Sequence, residues 1–512
     1  MSPKFDLVVV NGIVVTAADA VPCCIGIKGG KIHTLSPSFS SDEIEGAQII
    51  DAEGAYVMPG GVDAHVHLCQ DLKTGAHGLG GECADDFETG SRSAAAGGTT
   101  TIITFATQTR DETDRSLIKV VEAYNARAEA TGSFIDYGFH IIIVRNDPEI
   151  LENELPILVR DWGVTSCKLF MTYKSQRLTD TQLLDVMLAS QKNEITTMIH
   201  AENGDMIQWL AEKLENKGMV APYYHALSRP PVVEMEATNR AIALAGLIEN
   251  PILFVHIGSP LAAANVRNAQ TQGMPIYAET CPQYLNLTYD DLQKFHSPTC
   301  FENSKHICSP PPPPGTSDHD ELYLGLHNGT FTIFSSDHCP FRYDHPHGKP
   351  SGDLVSRKPG SFRFIPNGIP GVETRMSLLY TGGLATGRIT PRKFVELTST
   401  NPSKLYGLYP KKGAIMPGSD ADLVIWHPQK TFEPFALSND MLHHNVDYTP
   451  YEGKEFVNWP RYTILRGRVI WAEGELKGKP YDGEYLKRGP SYFGTGPAGR
   501  RRDARKTATW LR

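Results

Sequence analysis

The spacing of apolar positions changes twice along this chain. Over residues 1–58, short apolar runs are separated by turn signals. Phe5-Asp6-Leu7-Val8-Val9-Val10 is followed by Asn11-Gly12 and then Ile13-Val14-Val15-Thr16. Two apolar runs flanking Asn-Gly predict a strand, a tight turn and a second strand. Further short strands are expected at Cys24–Ile27, Lys31–Leu35 and Gln48–Asp51. From 59 to 412 near-continuous apolar runs alternate with segments of helical period. Strands are expected at 61–68, 99–105, 137–144, 164–171, 195–201, 251–257, 274–279 and 330–336. Such runs suit parallel strands covered on both faces. Helices are expected between them, at Ser116–Ala130, Thr181–Lys192, Ala201–Lys217, Val233–Glu249 and Leu261–Gln272. Eight βα units predict an α/β fold, a (β/α)8 TIM barrel. The connection from 280 to 330 is long, and five prolines after Ser309 predict a rigid polyproline-type loop within it.

After about residue 412 the short-strand texture returns, at Ala421–Trp426, Tyr462–Leu465 and Val469–Trp471. The simplest organisation pairs the two ends. Residues 1–58 and 413–475 form one small discontinuous β-sandwich beside the barrel of 59–412, and 476–512 is a C-terminal extension. The Gly-, Pro- and Arg-rich tail at 488–512 reads as an arm, disordered alone or packed on a partner such as a neighbouring subunit.

Composition narrows the class. The 512 residues are 40% hydrophobic and 21% charged, with net charge -9. The acidic balance argues against a nucleic-acid binder. No apolar run approaches the ~20 residues that cross a bilayer. Nine scattered cysteines, odd in number and without a CxxC pair, suit free thiols in a reducing cytoplasm. The start Met-Ser-Pro-Lys-Phe-Asp lacks the layout of a secretion signal.

Barrel enzymes place chemistry at the C-terminal ends of their strands. The first expected strand ends in His65 and His67, which at i and i+2 emerge on one face. Alone, such a pair is more often an ordinary strand with two satisfied histidines. The fifth, sixth and eighth strands end in His200, His256 and Asp337. Four histidines and an aspartate on one rim point to a metal site, with donors enough for two ions. Lys168 lies inside the fourth strand, where an ammonium is costly unless paired or neutralised. Two readings stay open. Its head snorkels to the barrel mouth, or it is deprotonated and adds carbon dioxide, giving a carbamate that bridges two metals.

Longer motifs carry a resemblance. They include Pro59-Gly60-Gly61-Val62-Asp63-Ala64-His65-Val66-His67, Lys168-Leu169-Phe170-Met171-Thr172-Tyr173-Lys174 and His200-Ala201-Glu202-Asn203. His225-Ala226-Leu227-Ser228-Arg229-Pro230-Pro231, Glu279-Thr280-Cys281-Pro282, Ser336-Asp337-His338-Cys339 and Asn367-Gly368-Ile369-Pro370-Gly371 follow. Together they resemble the cyclic amidohydrolases of the amidohydrolase superfamily, the dihydropyrimidinase and hydantoinase family. The resemblance implies hydrolysis of a cyclic ureide, such as 5,6-dihydrouracil, dihydrothymine or a 5-substituted hydantoin, to an N-carbamoyl amino acid. It implies two zinc ions bridged by N6-carboxylated Lys168, with His65, His67 and Asp337 on one ion and His200 and His256 on the other. Nothing in spacing separates zinc from manganese or cobalt. It further implies a metal-bridging hydroxide as nucleophile, Asp337 as general base then acid, Tyr173 as oxyanion donor, and backbone groups at Ser309 and Asn367 holding the ring's amide face. A homotetramer is the usual assembly.

Departures bear on substrate choice. The segment Leu68–Gly81 is unlike the usual loop of either subfamily, and its glycines suggest a mobile lid over the ring substituent. His77 within it reads as a solvated loop histidine. Ser166-Cys167 before Lys168 is also unusual. Allantoin or a cyclic imide is an alternative substrate. A non-catalytic scaffold, as in relatives that lost the metal ligands, is disfavoured because all six ligand positions are present.

Overall fold

A computed structural model describes residues 4–70, 81–294, 300–350 and 361–493. The strands of the first part are β1 (Leu7–Val15), β2 (Ala20–Lys28), β3 (Lys31–Ser36), β4 (Gln48–Asp51) and β5 (Tyr56–Pro59). The barrel strands are β6 (Gly61–Val66), β7 (Thr99–Thr107), β8 (Asp136–Ile142), β9 (Ser166–Phe170), β10 (Thr196–His200), β11 (Ile252–Phe254), β12 (Ile276–Thr280) and β13 (Ile333–Phe334). After them come β14 (Leu423–Trp426), the β15 (Phe435–Ala436) and β16 (Glu455–Phe456) pair, β17 (Pro460–Leu465), β18 (Arg468–Ala472) and β19 (Glu475–Leu476).

The eight barrel strands pair in sequence order, all parallel. A bridge between Val66 and His338 brings the last strand's exit back to the first. Buried Asp63 reinforces this closure by accepting from Ser336 N–H at 3.1 Å. Alternation along each strand sorts its side chains. In β9, Cys167 and Leu169 join the outer core beneath the helices, while Phe170 joins the interior cluster. The expected helices form at Leu117–Thr131, Asp180–Lys192, Gly204–Asn216, Pro231–Ile248 and Pro260–Thr271. Ser116 starts the first of these by accepting from Lys119 N–H at 3.3 Å. The third starts three residues later than expected. Asn203 caps it, leaving 201–203 as a link that carries Glu202 back toward His200. No helix among the described residues is long and apolar enough to cross a membrane.

The two ends of the chain meet in one nine-stranded mixed sheet, ordered β19-β18-β17-β14-β5-β1-β2-β3, with β4 beside β1. The seam is the antiparallel pairing of β5 with β14. In β14, Leu423 and Ile425 enter the sheet's own core with Leu7, Val9, Ile25 and Ile27. Val424 and Trp426 face the other way and pack into the barrel's outer core. Lys412 fastens the same junction. Its ammonium is buried between Asp136, Asp420 at 2.8 Å and Asp422 at 2.6 Å. That acidic trio is an ion-pair network filled by lysine.

Two expectations need correction. Asn11-Gly12 does not reverse the chain. β1 runs through it, and the register against β2 shifts between Val9 and Gly12. Asn11 takes the positive φ of 54° that a tight turn would use, as the kink of a bulge. Both halves of β1 then keep β2 as neighbour, with β4 and β5 filling the other edge in succession. The C-terminal stretch is also not a free arm as far as Phe493. Leu486 N–H donates to Tyr137 O at 2.7 Å, and Arg488 N–H to Gly163 O at 3.2 Å. Leu486 joins the interior cluster with Tyr406 and Leu408, so residues of this chain's own extension close the barrel floor. Buried Arg488 reaches Ser166 Oγ at 2.9 Å, which explains a serine two residues before Lys168. Residues 494–512 lie outside the described residues.

Candidate metal centre and active site

The strand ends deliver the expected side chains to one point. The rings of His65 and His67 are 5.3 Å apart, those of His65 and His256 5.4 Å, and those of His200 and His256 4.4 Å. Asp337 Oδ1 lies 3.1 Å from His65 Nε2 and 3.5 Å from His67 Nε2. Lys168 Nζ is 2.8 Å from His65 Nε2 and sits over the rings of Phe105 and Phe170. Donor atoms of His65, His256 and Asp337 all fall within 4.8 Å of one another. Tyr173, His256 and Asp337 adopt positive φ of 64°, 39° and 50°. Non-glycine residues enter that region rarely, and such strain concentrates at functional sites.

The rings are aimed by buried partners behind them. His65 Nδ1 is held by Glu279 at 2.6 Å, and the same carboxylate oxygen accepts from His256 N–H at 2.9 Å. His67 Nδ1 is held by Gln70 at 3.0 Å. His200 Nε2 is held by Glu202 at 2.6 Å, leaving its Nδ1 for the cluster. Glu202 in turn accepts from Arg229 at 2.6 Å. Outer hydrogen bonds of this kind fix the orientation and basicity of metal-binding imidazoles. The sequence reading missed Glu279, Glu202, Gln70 and Arg229 as parts of the site. One signal was available: ionisable residues inside apolar strands or beside strand-end histidines must find partners.

Electrostatics make three of the four histidines unprotonated donors. Burial pushes His67 down to about 4, and it lowers His200 and, further, His256. Burial also lowers the Lys168 ammonium, although Asp337 and Glu279 oppose it. Burial would raise the Asp337 carboxyl, but His65 and His67 together hold it well below the usual carboxylate range. His65 runs the other way: burial and Lys168 oppose its protonation, and Glu279 with Asp337 outweigh them. Buried His256 Nδ1 has no hydrogen-bond partner, and Lys168 has no ion-pair partner among the described residues. Three imidazoles held neutral, an ionised carboxylate and an orphaned ring nitrogen around one point fit divalent cations, which would displace the proton that His65 favours.

The remaining predicted residues line the same cavity. Tyr173, Ser309 and Asn367 face it with His67, Lys168 and Asp337. The Asn367 amide donates to Ser309 Oγ at 2.9 Å and to Tyr173 OH at 3.3 Å. Tyr173 packs against His200 and lies under the Arg229 guanidinium. Burial pushes its phenol up to about 12, so it stays a proton donor. The lid expected over this cavity falls largely on residues 71–80, His77 included, which lie outside the described residues.

A parallel eight-stranded barrel with histidines and an aspartate gathered at its strand ends defines a metal-dependent hydrolase of the barrel type. The profile of the amidohydrolase family matches residues 56–470, and the chain belongs to that family. It is 40% identical to a D-hydantoinase of Ralstonia pickettii, across 94% of this chain and 99% of the relative. Among solved structures, a dihydropyrimidinase from Brevibacillus agri NCHU1002 aligns with TM-score 0.86 at 35% identity, covering 94% of this chain and 99% of that one. An L-hydantoinase (dihydropyrimidinase) from Arthrobacter aurescens aligns with TM-score 0.80 at 27% identity, covering 94% and 100%.

Proposed function

We propose that this chain is a cyclic amidohydrolase that opens the ring of a cyclic ureide, a dihydropyrimidine or a 5-substituted hydantoin, to an N-carbamoyl amino acid. The carrying observation is the anionic Asp337 carboxylate, hydrogen-bonded within a cluster of buried, mostly unprotonated histidines at the base of a cavity. Relatives named D-hydantoinase and dihydropyrimidinase, aligned over nearly the whole chain, support the substrate class.

His65, His67 and Asp337 would hold one divalent ion, His200 and His256 a second, and Lys168 both. For Lys168 the cavity favours a carbamate. Its ammonium gives up one proton and the free amine adds carbon dioxide with loss of a second, exchanging an unpaired buried cation for an anion with two oxygen donors. Bound there, the ions acidify water and polarise a carbonyl. Asp337 accepts the water's proton and returns it to the ring nitrogen as the C–N bond breaks, a base and then an acid. The Tyr173 hydroxyl donates to the carbonyl oxygen as negative charge develops. Backbone groups of the Ser309 and Asn367 segments hold the ring's amide face. We also infer zinc as the ion, a homotetramer as the assembly and the cytoplasm as the compartment. The nine free cysteines support the last of these.

The test is kcat/KM of the metal-loaded protein for 5,6-dihydrouracil against a 5-aryl hydantoin. Preference for dihydrouracil assigns pyrimidine breakdown, and preference for the hydantoin assigns a hydantoinase. Absence of turnover with two bound metals would overturn the reading and direct attention to allantoin or cyclic imides.

A further inference from the structure

Lys349 is fully buried, and burial pushes its ammonium down to about 7. Its Nζ donates to three backbone carbonyls, of Ile307 at 3.0 Å, Pro366 at 2.9 Å and Gly368 at 2.7 Å. Three donors need the protonated form, since a neutral amine has only two N–H groups. Those carbonyls belong to two segments. One leads into Ser309, and the other contains Asn367. Ser309, Pro366, Asn367 and Gly368 all line the catalytic cavity. Directly, the segments share a Gly368 N–H to Ile307 O bond of 3.0 Å and the Asn367–Ser309 side-chain bond of 2.9 Å.

The far end of the lysine is fixed separately. Lys349 N–H donates to Arg342 O at 2.7 Å. The chain around Arg342 is tied to Asn445 and Asp447 by the Arg342 guanidinium and the N–H groups of Tyr343 and Asp344. A cation held at both ends, with no carboxylate among its partners, is an expensive way to fill space. What it supplies is a tetrahedral fan of donors that sets the distance between two loop segments. An apolar side chain in its place leaves the Pro366 and Gly368 carbonyls without their donor and Ile307 O with Gly368 N–H alone, and the segments must move to satisfy them.

We propose that Lys349 is a positioning residue for substrate, a strut that holds the Ser309 and Asn367 segments at the spacing the ring's amide face requires. This rests on the cyclic-ureide reading above. Lys168 is carried by the middle of β9 and the histidines and Asp337 by strand ends and the turns after them, outside the braced segments. Loss of the strut therefore weakens ring binding more than it impairs the bond-breaking step.

The experiment compares wild type, Lys349→Met and Lys349→Gln for kcat, KM and bound metal, using whichever of 5,6-dihydrouracil and a 5-substituted hydantoin the wild type hydrolyses. Methionine keeps the length and removes the donors; glutamine keeps two donors on a shorter stem. The expected result for Lys349→Met is a KM raised at least about tenfold, kcat within roughly threefold and unchanged metal content, with Lys349→Gln intermediate. A folded Lys349→Met with KM within about twofold of wild type overturns the strut. Where only Lys349→Gln folds, an unchanged KM there overturns it equally, and failure of both to fold assigns Lys349 to folding alone. Absence of wild-type turnover overturns the substrate reading and the strut with it, whereas wild-type turnover with unchanged variants overturns the strut only.

Discussion

Lys168 is the residue whose chemistry depends most on its surroundings. Two aromatic faces and a histidine nitrogen surround its Nζ, and burial disfavours the ammonium. Lys168→Ala is expected to lose most of its metal and at least about 10²-fold in kcat/KM. Added acetate or propionate should restore part of both, because a free carboxylate supplies the two oxygens the carbamate would. Metal analysis of the purified variant gives the answer, and full metal with full activity would remove Lys168 from the bridge. Tyr173 is argued on different grounds. Its hydroxyl lines the cavity and touches Asn367, so if it is the oxyanion donor proposed above, Tyr173→Phe should lower kcat by about 10²–10³-fold and leave metal content unchanged. A kcat within threefold of wild type would leave it a packing role alone.

At the scale of strands, Gly12 separates the bulge from the hairpin. A Cβ at Gly12 would lie 2.6 Å from Val57 Cγ2 in the neighbouring strand. Gly12→Ala should therefore destabilise the sheet by about 1–3 kcal/mol, seen as a lower thermal midpoint. Asn11→Gly, relieving a positive φ, should be neutral or mildly stabilising. In a hairpin turn neither change would meet a packed neighbour. The same contrast explains what could be read from the chain. All eight barrel strands were legible because a strand buried on both faces needs a near-continuous apolar run; their ends located the histidines and Asp337, and Lys168 stood out as a charge inside one of them. Asn-Gly misled because the local signal fixes a backbone angle and leaves the path of the chain to its partners. Glu279 went unassigned because the histidine it orients lies 214 positions away. No local pattern reports such a pair. The apolar strand around Glu279 signals that a partner is needed, and only the fold shows which one.

At the scale of the molecule, the C-terminal extension acts as the barrel's floor. Gly163 and Gly407 have positive φ and no room for a Cβ against the backbone of residues 487–489. The approach is thus close enough to exclude side chains on one wall. A chain ending at Leu476 would uncover Tyr137, Phe139 and Tyr406 and leave Ser166 without Arg488. We expect that chain to melt well below the full-length protein and to bind a hydrophobic dye. Equal melting temperatures would show that the floor holds without it.

The seam between β5 and β14 has a consequence for biogenesis. Met58 pairs with Val424, and every residue of the barrel lies between them. A ribosome therefore releases β1 to β5 long before their partner exists. Through most of synthesis the nascent half-sheet shows an open edge of β5, an edge that can recruit any other extended chain. Yield in a foreign host should then depend less on the stability of the finished enzyme than on translation speed and on chaperones able to shield that edge until the last strands emerge.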